Sequence, residues 1–550
     1  MAAPAAVPPI WTTGCTDSLK TGTWRNEVAV HQKSPAPCHN ACPVEGEIPV
    51  WIQELRNGDP HAAFLTLAEH NPIPAAIGRT CHRPCENKCN RTQYDGSVAI
   101  NALEQYVGDL AIKEGWALPG PKTELKPAVA IVGGGPAGLS CAYQLRRKGY
   151  QVTIYDANPE LGGVLRYGVP EFRLPARIVA AEAARVVALG VKVVPNRRLR
   201  ADDLDRLLSE YSAVFLALGA HKPKRLPQFP TDNSQVIDAI DFLRGAKLGQ
   251  PAKLGKKVVV IGGGSVAMDA AASAIRLGSS ATIVAVESRA VMPAEAEEVQ
   301  DVMEEGGALL DAAMVKRVES GSAGFKLLCA KCNLDQTASG AIVPREVKGT
   351  DFDLHADTII LAVGQDPDLE DWQARLTTAR GMLTTNHSYM TSLSGVFAAG
   401  DVANSVRFVS TAIGDGERAA RAIAHYLGEA EPRPSTPPEA VGFDKLNMFY
   451  FPNAERVERA KLEADRRKAS FGEMRQVYAE AQANEQAERC FSCGECTQCD
   501  NCFYFCPDMA ILRDADTPLH YRVLDDYCKG CGSCVTECPR GAMVLVEETK

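Results

Sequence analysis

The stretch VAIVGGGPAGLSCAYQLRRKGYQVTIYD (residues 129–156) decides the fold. An apolar run at 129–132 reads as a strand and leads into Gly133-x-Gly135-x-x-Gly138, which opens a helix over 136–148. Each glycine has its own task. Gly133 permits the tight turn, Gly135 lets backbone approach a pyrophosphate, and Gly138 lets the helix pack closely on the strand. The pyrophosphate then rests on the helix N-terminus, where unpaired N–H groups and the helix dipole favour an anion. A second strand at 152–155 ends at Asp156, placed to hold a ribose hydroxyl. A bare GxGxxG is a weak signal. Strand, helix and terminal acid in register outweigh the bland reading of a tight turn without a ligand.

The same design recurs in VVVIGGGSVAMDAAASAIRLGSSATIVAVESR (residues 258–289). Gly262-x-Gly264-x-x-Ala267 follows a strand at 258–261, and a strand at 282–286 ends at Glu287. Two such units imply two dinucleotides, one resident and one exchanging. A carboxylate at Glu287 bonds both ribose hydroxyls of NAD and repels the 2′-phosphate of NADP. Arg289 argues the other way, so NAD(H) is favoured while NADP(H) stays open. Alternating Val/Ile runs and helices from 126 to 248, restarting near 256, fit doubly wound α/β units.

At 550 residues the chain is too long for one core. Its net charge of −9 leaves no basic excess for neutralising nucleic-acid phosphates. No apolar run reaches the roughly 20 residues of a membrane span. The start, MAAPAAVPPIWTTG, lacks the basic and apolar regions of a signal peptide. A cytoplasmic protein is expected. Its 19 cysteines are unevenly spread, with six in residues 1–100, ten in 490–550, and only Cys141, Cys329 and Cys332 between. Clustering at short spacing in such a chain means metal or iron–sulfur ligation, not a disulfide framework.

At the C-terminal end, Cys496-x2-Cys499-x2-Cys502-x3-Cys506-Pro is followed by Cys528-x2-Cys531-x2-Cys534-x3-Cys538-Pro. This is the bacterial ferredoxin spacing, in which the fourth cysteine of each run ligates the other cluster. One [4Fe–4S] is therefore expected on Cys496, Cys499, Cys502 and Cys538, the other on Cys528, Cys531, Cys534 and Cys506. A zinc ribbon has no use for three cysteines at x2 spacing plus a fourth before proline, twice. Cys490 and Cys493 form one more C-x2-C. They are spare, join ligands from elsewhere, or are buried thiols, and spacing does not choose.

At the N-terminal end, SPAPCHNACPVEGEIP carries Cys38 and Cys42, and GRTCHRPCENKCN carries Cys81, Cys85 and Cys89. With GSVAINALEQY (96–106), GGVLRYGVPEFRLP (162–175) and SRAVMPAEAEEV (288–299), residues from about 35 to 428 resemble the glutamate synthase small-subunit family. Dihydropyrimidine dehydrogenase and NADH-dependent ferredoxin:NADP oxidoreductase subunits share that pattern. GVFAAGD (395–401) resembles the closing motif of flavoproteins with two dinucleotide domains, in which the aspartate bonds the ribityl chain of FAD. The resemblance implies FAD on Gly133, Gly135, Gly138, Asp156, Gly163, Gly400 and Asp401. It implies NAD(P) on Gly262, Gly264, Ala267, Glu287 and Arg289, with Gly364 in the crossover AVGQ (362–365). The family's N-terminal domain holds two [4Fe–4S] clusters, but here the C-x2-C ahead of Cys38 is missing, with only Cys15 upstream. One N-terminal cluster is expected, on Cys42, Cys81 and Cys85 with Glu104, Cys38 or Cys89 as fourth ligand. That makes three clusters and about 12 iron atoms per chain.

The expected fold is α/β, with two nested Rossmann-like dinucleotide-binding domains between an α-helical iron–sulfur domain and an α+β ferredoxin-like domain. The divisions are 1–125 (helical, iron–sulfur), 126–248 and 365–428 (FAD), and 249–364 (NAD(P)). Residues 429–489 read as a Pro-rich linker with a charged, solvated helical connector, and 490–550 as the ferredoxin domain. Nicotinamide exchanges two electrons at once, a cluster one, and FAD handles both. The chain therefore reads as an NAD(P)H-linked electron-transfer subunit serving a partner catalytic subunit or ferredoxin, with no catalytic side chain required. The glutamate synthase small subunit itself is the alternative. A thiol–disulfide flavoenzyme using Cys329-x2-Cys332, and a binding module without turnover, are the remaining readings. The segment 490–550 carries ten acidic and five basic residues, which suits docking on a basic partner or simple solubility.

Overall fold

The computed structural model describes residues 20–548, apart from 21, 23–24, 231, 322–323, 337–341, 431–438 and 518. The stretch read against a signal peptide, Cys15, and most of the Pro-rich linker lie outside the described residues.

The first fingerprint sits on a five-stranded parallel sheet. Ala128–Val132 is its central strand, flanked by Gln151–Tyr155 and Ala213–Leu216, with Lys192–Val194 and Val396–Ala398 at the edges. Helices cover both faces, so the inner strands read as unbroken apolar runs instead of alternating ones. The second fingerprint sits on another five-stranded parallel sheet, ordered Ala308–Leu310, Ser280–Val284, Lys257–Ile261, Thr358–Leu361, Val236–Asp238. An antiparallel excursion follows it, with Gly324–Gln336 at its centre. A two-stranded ladder, Lys222–Pro223 with Gln365–Asp366, carries the chain out of the flavin half and back.

Several expectations on boundaries change. Val236–Asp238 pairs with Thr358–Leu361, and its helix Ala239–Lys247 follows, so the second dinucleotide half begins ahead of the expected boundary at 249. Three residues are too short a run to read as a strand. The last helix of the flavin half spans Val409–Tyr426, earlier than a reading that starts it at Gly416 would place it. Gly414 and Gly416 disguised its start. They are there for close approach: a Cβ on Gly414 would stand 1.9 Å from Pro43 O, and one on Gly416 2.3 Å from Ala137 O.

The N-terminal helices Ile48–Arg56, Pro60–Ala68, Pro74–Thr80 and Ile100–Lys113 enclose Trp51, Ile52, Phe64, Leu67, Leu103 and Val107. Pro74–Thr80 and Ile100–Lys113 cross almost backbone to backbone, since a Cβ on Gly108 would fall 2.3 Å from Ala75 N. That crossing brings Glu104 toward the cysteine at the end of Pro74–Thr80.

The segment 453–489 is not a solvated helical connector. Only Ala464–Lys468 and Glu480–Glu488 are helical, and Met474 and Tyr478 are buried. Its charges meet specific partners. Arg467 is buried against Asp301, Glu304 and Glu305, and Arg489 donates to the carbonyls of Asp95, Gly96, Ser97 and Ala454. The C-terminal domain is not an appended bead either. Its last strand, Met543–Glu547, pairs antiparallel with Glu27–His31, and Arg25 reaches Cys528 O at 3.0 Å and Glu548 at 2.7 Å. Among the described residues no helix is long and apolar enough to cross a membrane.

Candidate functional site

The first cradle has the shape the glycines imply. Gly133 has φ +104°, and a Cβ there would lie 2.3 Å from Ala217 O. A Cβ on Gly138 would lie 1.9 Å from Gly133 O, so strand and helix touch through backbone. Gly135, by contrast, faces nothing nearer than Gly163 Cα at 3.8 Å. It caps helix Pro136–Arg147 with no side-chain acceptor, leaving the first N–H groups to an anion. Asp156 is buried. Its Oδ2 accepts from Gly134 N–H at 2.8 Å, and its Oδ1 from Asn158 N–H at 2.7 Å and Asn158 Nδ2 at 3.1 Å, which fixes the loop and leaves Oδ2 a further lone pair. Gly400, at φ +72°, would set a Cβ 3.0 Å from that of Ala137, so Asp401 stands beside the same helix start. Burial raises the Asp401 carboxyl, while Arg407 pulls it the other way. Arg407 also donates to Gln365 O, linking the flavin-side loop to the crossover beside Gly364.

The second cradle repeats the plan with one difference. Gly262 has φ +137°, and its Cβ would lie 2.4 Å from Ala362 O. Gly264 opens onto empty space and caps helix Ser265–Arg276 with no side-chain acceptor. Ala267 is fully buried, so this helix leaves room for one methyl where the first demands glycine. Glu287 presses on Gly263, and its buried Oε2 has no hydrogen-bond partner among the described residues. A buried, unpaired carboxylate oxygen at the end of the second strand fits a ribose hydroxyl. Arg289 is exposed and bonds Gln300 at 3.2 Å.

The cysteines assemble as pairs of interleaved sets. Burial, then neighbouring thiols, raises Cys502 and Cys534 to about 12 each. The neighbours of Cys502 include Cys538, Cys496 and Cys499, and those of Cys534 are Cys506, Cys528 and Cys531. The fourth cysteine of each run thus crosses to the other set. At the N-terminal end Cys85 has Cys42 and Cys81 beside it. Burial first, then the Glu104 carboxylate, raises Cys42 to about 11 and Cys81 to about 12. Glu104 is itself pushed up to about 8 by burial, although Asn71 donates to it at 2.7 Å. Of the three candidates for fourth ligand, Glu104 stands beside both Cys42 and Cys81. Cys38 and Cys89 face a separate cavity with Cys490 and Cys493.

The thiol–disulfide reading loses its geometry. Cys329 and Cys332 lie three residues apart on one strand, so their side chains leave opposite faces. Their thiols meet different carbonyls, Leu327 O and Val286 O. Every described cysteine is free.

Other joints were not visible in sequence. Arg173 crosses from the flavin half to Asp269 (2.8 Å) and Glu298 (2.6 Å) of the nicotinamide half. Burial pushes Asp269 up to about 6 against the pull of Arg173. His82 stacks on Phe408 at 4.2 Å, just ahead of helix Val409–Tyr426. A cavity of about 780 Å³ lies at this junction, lined by His82, Arg173, Asp269 and Glu298 among others. The sequence offered only the segment GVPEFRLP (168–175), whose arginine is the crossing residue.

Residues 127–416 match the family model described as pyridine nucleotide-disulphide oxidoreductase. The chain belongs to that family. Residues 31–116 match dihydropyrimidine dehydrogenase domain II, 4Fe-4S cluster, and residues 495–542 a 4Fe-4S dicluster domain. The NADP(+)-dependent formate dehydrogenase subunit beta of Moorella thermoacetica is 33% identical over 83% of this chain and 70% of its own. The NADPH-Fe(3+) oxidoreductase subunit beta of Geobacter sulfurreducens is 33% identical over 85% and 77%. The glutamate synthase [NADPH] small chain of Azospirillum brasilense is 32% identical over 71% and 86%, which bears out the resemblance noted in the sequence. The expected fold class holds as well: a pyridine-nucleotide oxidoreductase core carries iron–sulfur domains at both ends.

Proposed function

We propose that the chain accepts electrons from a nicotinamide dinucleotide, NAD(H) in preference to NADP(H), and passes them singly to a partner catalytic subunit or a ferredoxin. The observation that carries this reading is the join between the N-terminal cysteine loop and the flavin half. Pro43 O, next to Cys42, accepts from Arg418 at 2.9 Å and lies directly over Gly414, while Ser410 stands beside the Cys81 thiol. Cysteines and flavin cradle therefore share helix Val409–Tyr426.

Gly133, Gly135 and Gly138 would receive the pyrophosphate of FAD, Asp156 its ribose, and Gly163, Gly400 and Asp401 the far side of the cradle. Gly262, Gly264 and Ala267 would receive NAD(H), with Glu287 on the ribose hydroxyls, Arg289 at the rim and Gly364 at the crossover. FAD, when bound, supplies the conversion between two-electron and one-electron chemistry. The chain's own part is placement: Arg173 joins the two halves through Asp269 and Glu298. Cys42, Cys81, Cys85 and Glu104 would hold the first cluster, and the two crossed ferredoxin sets the last two. Cys499 and Cys531 are exposed, which suits hand-over to a partner.

The formate dehydrogenase and iron-reductase β subunits match more of this chain than the glutamate synthase small chain does, 83% and 85% against 71%. That supports a subunit of an oxidoreductase complex carrying the added ferredoxin module. Its proposed setting is the cytoplasm, where thiols stay reduced. Anaerobic mixing tests the reading: NADH should bleach the flavin within the dead time of manual mixing and sustain viologen reduction. An FAD-loaded protein that oxidises neither NADH nor NADPH sinks it, and faster turnover with NADPH sinks the NAD(H) preference.

A further inference from the structure

Cys490 and Cys493 fall outside both iron–sulfur matches, which cover residues 31–116 and 495–542. The structure folds them back onto the N-terminal domain. They line one cavity of about 350 Å³ with Cys38 and Cys89, closed by Ile48, Ile52, Val98 and Phe491. A measure for that space exists in the same chain: Cys506, Cys528, Cys531 and Cys534 of the ferredoxin domain line a cavity of about 320 Å³. All four side chains face the same cavity, whose remaining walls are apolar apart from Asn90.

We infer that Cys38, Cys89, Cys490 and Cys493 hold a fourth [4Fe–4S] cluster, with two ligands from each end of the chain. The two upstream ligands missing from the N-terminal domain are replaced by a C-x2-C more than 400 residues away.

The hydrogen bonds match those of the ferredoxin sets. Ser492 N–H donates to Cys490 Sγ and Asn90 Nδ2 to Cys493 Sγ, both at 3.4 Å. In the ferredoxin domain Ala510 N–H donates to Cys506 Sγ at 3.2 Å and Ala542 N–H to Cys538 Sγ at 3.3 Å. Such donors stabilise thiolate sulfur at a cluster. A zinc ion needs four sulfurs drawn in to about 2.3 Å from one point. Among the described residues no group of three or more Cys, His, Asp or Glu converges in that way, the ferredoxin sets included; these four thiols line a cavity, as Cys506, Cys528, Cys531 and Cys534 do. A disulfide between Cys490 and Cys493 would leave the buried Cys38 and half-buried Cys89 without a partner in a cavity whose other described lining has Asn90 as its one polar side chain.

The site also occupies the gap in the row. On one side Cys38 lies on the short helix Pro37–Ala41 that Cys42 caps. On the other, Arg540 lies among Cys490, Cys493 and Cys499, and donates to Phe491 O. The order is then the Cys42 cluster, this cluster, the Cys496 cluster and the Cys528 cluster, so that the N-terminal and ferredoxin clusters become one path.

The inference extends the electron-transfer reading and rests on it only for its purpose, because iron can be counted without any coenzyme. Full-length protein purified anaerobically should hold about 16 iron and 16 sulfide per chain, in four clusters. The Cys490→Ser/Cys493→Ser protein should hold about 12, with unchanged FAD, and should lose one reduced-cluster component from its EPR spectrum. Cys38→Ser/Cys89→Ser should lose the same component, which a general folding defect would not single out. Cys141→Ser, a buried cysteine on helix Pro136–Arg147 that lines neither cysteine cavity, should keep all four. About 12 iron in the unaltered protein, 12 iron with one zinc, or an unchanged count in both double variants overturns the assignment. Should the variants fail to fold, the count and Mössbauer spectrum of the unaltered protein still decide between three clusters and four. A protein with no iron at all would instead overturn the electron-transfer reading as a whole.

Discussion

Gly264 offers a substitution that separates folding from coenzyme binding. Its backbone, at φ −93° and ψ 172°, is one that alanine adopts freely, and no heavy atom of the described residues lies within 4 Å of the added Cβ. Gly264→Ala should therefore change folding stability by less than about 1 kcal/mol, the balance of a stiffer unfolded chain and a poorer helix cap. The empty space is the approach to the N-terminus of helix Ser265–Arg276, where the methyl would hold a pyrophosphate away from the backbone donors. Losing one hydrogen bond to a charged group costs about 1.5–3 kcal/mol, or roughly 10- to 100-fold in coenzyme affinity. Gly262→Ala is the contrast: at φ +137°, with its Cβ 2.4 Å from Ala362 O, it should cost about 1–3 kcal/mol of stability in backbone strain alone. The assay is anaerobic viologen reduction across a range of NADH concentrations, beside thermal melting and FAD content. Gly264→Ala should raise the KM for NADH at least ten-fold, with an unchanged melting temperature and full FAD. A KM equal to that of the unaltered protein would refute the placement of the pyrophosphate, and so would a fall in melting temperature like that of Gly262→Ala.

The unpaired Oε2 of Glu287 predicts that Glu287→Gln, which keeps shape but removes charge, raises the KM for NADH about ten-fold and lowers that for NADPH; an unaltered NADH/NADPH ratio counts against it. Arg467→Met leaves Asp301, Glu304 and Glu305 short of one buried cation, at a cost of about 3 kcal/mol. Hydrogen exchange should rise across 453–489 while the flavin-side sheet stays protected, and uniform protection would contradict the role given to this arginine. Cys329→Ala with Cys332→Ala should leave NADH-driven viologen turnover within about two-fold, since the two thiols sit on opposite faces of one strand. A loss beyond ten-fold would restore the thiol–disulfide reading.

What was legible in the sequence is what a short stretch of chain decides by itself. Gly133, Gly135 and Gly138 answer to the geometry of one turn, and the spacing of Cys496 to Cys506 to the geometry of one cluster. What was not legible depends on partners far along the chain. A run such as residues 453–489, dense in Arg and Glu, reads as a solvated face because nothing local reveals that Arg467 meets Glu305 or that Arg489 meets the carbonyls at 95–97. Arg173 looks like one charge in a loop until Asp269 is seen beside it. Gly414 and Gly416 mimic a helix break because the close backbones of Pro43 and Ala137 are absent from the local pattern. Cys490 and Cys493 are the sharpest case, because a C-x2-C does not name its other two ligands.

The same long-range contacts determine how electrons can leave. A ferredoxin module behind a Pro-rich linker suggests a tethered shuttle that swings to its acceptor, yet the contacts past the linker do not permit it. Immediately after the linker, Val441 N–H donates to Pro35 O. Ser34 N–H bonds Gly494 O, and Gly494 N–H bonds Arg540 O, so the N-terminal loop, the second C-x2-C and the last ferredoxin run are joined through backbone. Glu27–His31 completes the pairing with Met543–Glu547 from the other side. Swinging the module out would break that strand pairing, strip Arg489 and Arg91 of buried carbonyls, and expose Phe491 and the Cys38 cavity to water. Each unsatisfied buried donor costs about 1–3 kcal/mol, so the docked arrangement is the working one. The ferredoxin clusters therefore form a fixed extension of the N-terminal path, and a partner has to come to the exposed edge of the module at Cys499 and Cys531.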